Sequence, residues 1–149
     1  MTIAWTIKPF DRLSARELHD ALRLRVDTFV VEQRCAYAEV DGRDPEALHV
    51  MGHAPDGRLV AYARVLPPSG DAPARIGRVV VVADQRGRGL AHHLMERALD
   101  AVQRIGGSGR CILSAQAPLE RFYAAHGFRR TSADYDWDGI PHVDMERAG

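Results

Sequence analysis

The chain has 149 residues, 46% of them hydrophobic, the size of one compact domain spanning residues 1–149 with enough apolar side chains for a core. Its 20 basic and 20 acidic side chains cancel, and a balanced chain lacks the field that draws nucleic acid or an anionic membrane. Cys35 and Cys111 fit neither a disulfide framework nor a metal knuckle and read as reduced thiols of a cytoplasmic protein; the longest apolar stretch, Val79 to Ala83, is strand-sized, so neither a membrane span nor an export leader is expected.

Ala4 to Lys8 alternates weakly and stops at Pro9, as an edge strand does. Ser14 followed by Glu17 is a capping-box start, and Leu18, Leu22, Val26 and Phe29 then share one helical face. Periodicity ends at Glu32, leaving Gln33 to Glu46 as a long loop rich in acids. Leu48 to Ala54 and Arg58 to Leu66 flank Pro55-Asp56-Gly57 and predict an antiparallel hairpin. After the breakers of Pro67 to Pro73, Ile76 to Ala83 reads as a strand buried on both faces, hence the centre of the sheet.

Leu90, Leu94, Ala98 and Val102 mark a helix from Arg88 or Gly89 to Ile105, stopped by Gly106-Gly107. Cys111 to Ala115 predicts another strand, Pro118 to His126 a short helix stopped by Gly127, and Arg129 to Glu146 two weaker strands. The fold class is α/β in the α+β sense, a mixed, largely antiparallel twisted sheet of about six to seven strands flanked by helices.

The valine strand runs through Arg86-Gly87-Arg88-Gly89-Leu90-Ala91 directly into a helix. Such a junction points unpaired backbone amides and the positive end of the helix dipole at one spot, where an anion is stabilised. Gly87 and Gly89 permit close approach, and Arg86 and Arg88 add charge suited to a diphosphate. A tight strand-to-helix turn without a ligand explains the same glycines. A P-loop is excluded because Leu90 and Ala91 stand where Lys and Ser or Thr are needed, and a dinucleotide fingerprint because His92 or His93 replaces its third glycine.

Arg-x-x-Gly-x-Ala over Arg86 to Ala91, between a valine strand and an amphipathic helix, resembles the pyrophosphate motif of GNAT acyltransferases. The resemblance implies acetyl-CoA as co-substrate and no metal, with Val79, Val80, Val81 and Val82 along the thioester arm and Arg86, Gly87, Arg88, Gly89, Leu90 and Ala91 at the phosphates. Ser114-Ala115-Gln116 and Leu119-x-x-Phe122-Tyr123-x-x-x-Gly127-Phe128 are similar to a second family signature. It implies that the two central strands splay, that Gln116, Phe122 and Tyr123 border the cofactor, and that Tyr123 is the acid for the departing thiolate. A phenol suits that task; a core tyrosine with a satisfied hydroxyl is the other reading. Leu24-Arg25, Phe29 to Gln33, Ala61 to Val65, Ile76 to Val79 and Asp138 to His142 extend the resemblance to the ElaA-type group over nearly the whole chain.

Residues 32 to 46 hold five acids against two arginines, and residues 75 to 97 five arginines against two acids. This polarity suits an anionic cofactor on one side and a cationic small-molecule or peptide amine on the other; a solvated charged loop is the alternative. Glu32, His49 and His142 are candidates for the base that an ammonium acceptor requires. Asp41, Asp44 and His49 have the chemistry of a metal site, though turn-forming aspartates explain them more simply. A homodimer is compatible with the resemblance. An acetyltransferase acting by direct attack in a ternary complex and a silent acyl-CoA-binding module both fit, because fold does not fix function.

Overall fold

A computed structural model describes residues 2–149. The first strand, β1 (Ala4–Pro9), leads into α1 (Ala15–Val26), whose start is closed as the sequence predicts. Ser14 Oγ accepts from the Glu17 amide at 3.0 Å, and the Ser14 amide donates back to Glu17 Oε1 at 2.9 Å. Beyond Val26 the helix widens into one π-helical turn, Asp27–Glu32.

The buried stripe of α1 differs from the predicted one. Ala21, Leu24 and Arg25 are buried, with Thr28 one turn further, whereas Leu18, Leu22, Val26 and Phe29 are only partly covered. The helix is rotated because Arg25 turns inward to meet acids of the following loop, which an apolar periodicity does not register.

Strands β2 (Leu48–His53), β3 (Leu59–Leu66) and β4 (Ala74–Val81) continue β1 as an antiparallel meander. The chain then crosses over through α2 (Leu90–Ile105) to β5 (Cys111–Gln116), which runs parallel to β4. After α3 (Glu120–Ala124) come β6 (Arg129–Arg130), β7 (Tyr135–Trp137) and β8 (Ile140–Arg147). The sheet order is β1-β2-β3-β4-β5-β8-β6, with β7 also on β8. Eight strands replace the six to seven expected, since the C-terminal stretch folds into three segments where two were predicted. The valine strand is central, as its two-sided hydrophobicity demands.

The predicted stripe of α2, Leu90, Leu94, Ala98 and Val102, is buried against one face of the sheet, on Val50, Val60, Val65, Ile76 and Leu113. The α1 side covers Met51, Leu59, Tyr62 and Val80 on the other. Truncating a fully buried leucine such as Leu94 in so dense a layer costs about 2 to 5 kcal/mol.

Two irregularities open the sheet at its centre. Tyr62 pairs with Val80 and Arg64 with Gly77, so β4 carries one residue more than β3 across the same span. This bulge places Arg78 in the left-handed region at φ 55. On its other edge β4 pairs with β5 only at Ala74–Cys111 and Arg75–Ile112. From Ile76 onward the two strands diverge, and the edge of β4 facing β5 has no ladder partner there.

Candidate active site

The divergence of β4 and β5 leaves a wedge-shaped cavity of about 430 Å³. Arg75 to Val81 form one wall, and Leu113, Ser114 and Gln116 the other. Thr28, Phe29, Glu32 and Gln33 from the π-turn region close it on one side, with Tyr37 from the loop. Trp137, Asp138 and His142 approach from the β7–β8 hairpin, and Tyr123 from α3.

Beyond Val81 the chain makes a 3-10 turn, Ala83–Gln85, and enters the glycine loop. Gly87 and Gly89 have φ of 79° and 76°, and a Cβ built on either meets no protein atom within 4 Å. Within the chain, the dihedral is what demands glycine here. Gly89 caps α2 without a side-chain bond. Among the described residues, the amides of Gly87, Arg88, Gly89, Leu90 and Ala91 are paired by no turn or cap hydrogen bond. Five main-chain donors and the positive end of a 16-residue helix therefore meet at one corner.

The two loop arginines are placed differently from one another. Arg86 lines the cavity, donating from Nε to the Val81 carbonyl at 2.9 Å and from Nη1 to Glu32 Oε2 at 2.9 Å. Arg88 instead lines a separate hollow with Trp5, Gln85 and His93.

Tyr123 is 7% exposed and lines the wedge, and its hydroxyl has no hydrogen-bond partner among the described residues. Burial pushes its phenol up to about 12, so it is protonated at neutral pH. Phe122 meets it edge-on at 5.0 Å and packs tilted against His92 of α2 at 4.8 Å, tying α3 to the first turn of that helix. Val82 and Phe122 pack against the core and do not line the cavity, whereas Val79, Val80, Val81, Gln116 and Tyr123 line it.

His142 stacks on Tyr135 at 6.1 Å and meets Trp137 tilted at 5.4 Å, and its Nδ1 lies 2.8 Å from the Ile140 carbonyl. A carbonyl only accepts, so Nδ1 carries the proton and Nε2 keeps its lone pair in the neutral ring.

A half-open wedge with a main-chain anion corner beside it matches what one family signature encodes. A model of the acetyltransferase (GNAT) domain matches residues 17–148. The chain belongs to the GNAT acetyltransferase family. A UPF0039 protein of Schizosaccharomyces pombe is 42% identical over 144 residues, 96% of this chain and 95% of that one. The crystal structure of an acyl-CoA N-acyltransferase from Pseudomonas aeruginosa superposes with a TM-score of 0.93 at 44% identity, over 99% of this chain and 100% of the other. Escherichia coli ElaA superposes with a TM-score of 0.90 at 37% identity, over 98% and 99% of the two chains. The fold is accordingly the GNAT acyl-CoA N-acyltransferase fold, and the chain is ElaA-like.

Within this GNAT frame two expectations need correction. His49, a candidate base, lies outside the wedge and is almost fully buried. Its Nε2 donates to the Asp44 carbonyl at 3.0 Å, so its Nδ1 accepts from the Tyr62 hydroxyl at 2.6 Å; burial depresses its pKa and keeps it neutral. It is a structural histidine.

The acidic loop does not present free charge to an amine. Glu39 and Asp44 are buried on Arg25, and Asp44 and Asp41 also hold Arg64. Arg78 takes Glu39 and Asp41, Arg86 takes Glu32, and Arg43 takes Glu46. The acidic segment and the basic segment are thus partly each other's counter-ions. The same pairs occupy Asp41 and Asp44, two of the three residues weighed as metal ligands.

Glu32, the third base candidate, does line the wedge, but its carboxylate is held by Arg86. Sequence reasoning also passed over Tyr37, Arg75, Trp137 and Asp138 as cavity residues. The signal for Trp137 and Asp138 was their place beside the Asp138-Gly139-Ile140-Pro141-His142 motif, which carried the family resemblance.

Proposed function

We propose that the chain is one GNAT domain that transfers acetyl from acetyl-CoA to a primary amine by direct attack in a ternary complex. The observation that carries this reading is that the wall of the wedge between β4 and β5 ends at Arg86, next in the chain to the unpaired amides of Gly87 to Ala91. One extended ligand with an apolar arm and a diphosphate fits both halves.

In this reading the pantetheine arm pairs with the free edge of β4 at Val79, Val80 and Val81, and the diphosphate lies on the α2 mouth. Arg86 contributes through its pair with Glu32, and Gln116 borders the arm. The bulge frees a β4 amide near Val80 for the thioester oxygen, whose developing charge it stabilises. The amine attacks the carbonyl carbon, the C–S bond breaks, and the electron pair leaves on sulfur.

Tyr123 donates its O–H hydrogen bond to that sulfur. With the phenol near 12 and a thiol near ~8.5, hydrogen bonding outweighs full proton transfer. The amine's proton goes to Nε2 of His142, the lone pair left free by the Ile140 carbonyl. A cytoplasmic location belongs to the same reading, consistent with two buried free cysteines.

Calorimetry with acetyl-CoA, followed by thiol release over an amine panel, tests the proposal. Tyr123→Phe should keep CoA affinity and lose roughly 100- to 1,000-fold in turnover, the cost of removing one donor from developing charge. CoA binding with no amine turned over would instead make the chain an acyl-CoA-binding module.

A further inference from the structure

The charged side chains of the wedge are almost all spoken for. Arg64 and Arg78 are held by Asp41, Asp44 and Glu39, and Arg86 and Glu32 hold each other. When these pairs are set aside, one cation and one anion remain on the cavity wall.

The cation is Arg75. Among the described residues it makes no ion pair; its single side-chain bond runs from Nη1 to Ser114 Oγ at 3.2 Å. Ser114 Oγ in turn donates to Asp144 Oδ1 at 3.3 Å, and the Tyr135 hydroxyl donates to the same oxygen at 2.6 Å. Asp144 is therefore satisfied by neutral donors, and the guanidinium keeps its remaining N–H groups. Arg75 sits where β4 and β5 still pair, at the closed end of the wedge.

The anion is Asp138. It lies in the β7–β8 turn at φ 52, exposed at the mouth beside Trp137; the neutral Cys35 thiol lies against it, and it meets no basic side chain among the described residues. His142 follows four residues on, with its Nε2 lone pair free.

We propose that the acceptor is an amine that also carries a carboxylate, an amino acid or short peptide. Its carboxylate is held by Arg75, and its ammonium is drawn by Asp138 toward His142. A guanidinium with two free N–H groups matches a carboxylate as a fork, which a simple polyamine lacks. The same cation disfavours acceptors bearing only positive charge. The inference rests on the acyl-transfer reading above.

The test is a calorimetric titration of the CoA-saturated protein with amino acids and dipeptides, each as the free acid and as its C-terminal amide. The free acid of the best binder should bind at least about tenfold tighter than its amide, the size of one charge-assisted bond. Arg75→Gln should erase that difference, Arg75→Lys should keep part of it, and Asp138→Asn should weaken acid and amide alike. Circular dichroism confirms that each variant is folded. Equal affinity for acid and amide in the wild type, a preference that survives Arg75→Gln, or no binding anywhere in the panel overturns the proposal. CoA itself failing to bind would sink the acyl-transfer reading; CoA binding without acid preference sinks only this one.

Discussion

Arg78 stands in the left-handed region at φ 55 and hands its Nε–H to Glu39 Oε2 at 2.6 Å. The same oxygen receives Nε of the fully buried Arg25 at 2.7 Å, and the Tyr37 hydroxyl donates to the other. A left-handed conformation costs a residue with a Cβ roughly 1 to 2 kcal/mol, so the bulge persists because its side chain is anchored. Glu39 thereby links α1 to the bulge of β4 that shapes the wedge.

Glu39→Ala should destabilise the fold by about 3 to 5 kcal/mol, because it leaves Arg25 buried with one acid fewer. Urea unfolding measures it. A loss under about 1 kcal/mol, the size of an exposed pair, would show that the network is not what holds this junction.

His142 and Glu32 both line the wedge, but Glu32 is ion-paired to Arg86, whereas Nε2 of His142 has no partner among the described residues. His142→Ala should lower kcat/KM for the amine at saturating CoA by roughly 100-fold or more. Glu32→Gln should keep that value and act on CoA affinity through Arg86. The reverse pattern would transfer the base to Glu32.

Acid should weaken the loop network. Hydrogen bonds from Arg64 hold Asp41 well below the usual carboxylate range. Burial alone would raise Asp44, but Arg25 and Arg64 outweigh it and the pKa is lowered. Both folded values lie below the unfolded one, so the stability they add is present above ~3.9 and lost as pH falls through the folded values. The stability gap between wild type and Asp41→Asn should be constant from neutral pH to about 5 and shrink toward pH 2.5. A gap that widens in acid would contradict the assignment.

The α2 segment was legible because everything local agreed: a valine strand, glycines at positive φ and an unbroken helical stripe. Tyr123 and His142 were legible as cavity residues through motif resemblance. The bulge was not, since Gly77 sits at its edge but the extra residue falls on Arg78-Val79, whose side chains mark no break in a strand. The destination of Glu39, Asp41 and Asp44 was also hidden. Their partners Arg25, Arg64 and Arg78 lie between 14 and 39 positions away, and such pairing arises from tertiary packing. For the same reason His49 read as a free base when Tyr62 and the Asp44 carbonyl had claimed both its nitrogens.

The claim on which the rest depends is that the main chain at the mouth of α2 binds a diphosphate. Calorimetry of CoA with Gly89→Asp and Gly89→Asn tests it most directly, because both side chains tolerate φ near 76° and differ chiefly in charge. Asn should cost little, whereas Asp should weaken CoA by roughly 100-fold, set by a carboxylate facing the diphosphate. If both variants bind CoA as the wild type does, the diphosphate lies elsewhere and the account fails.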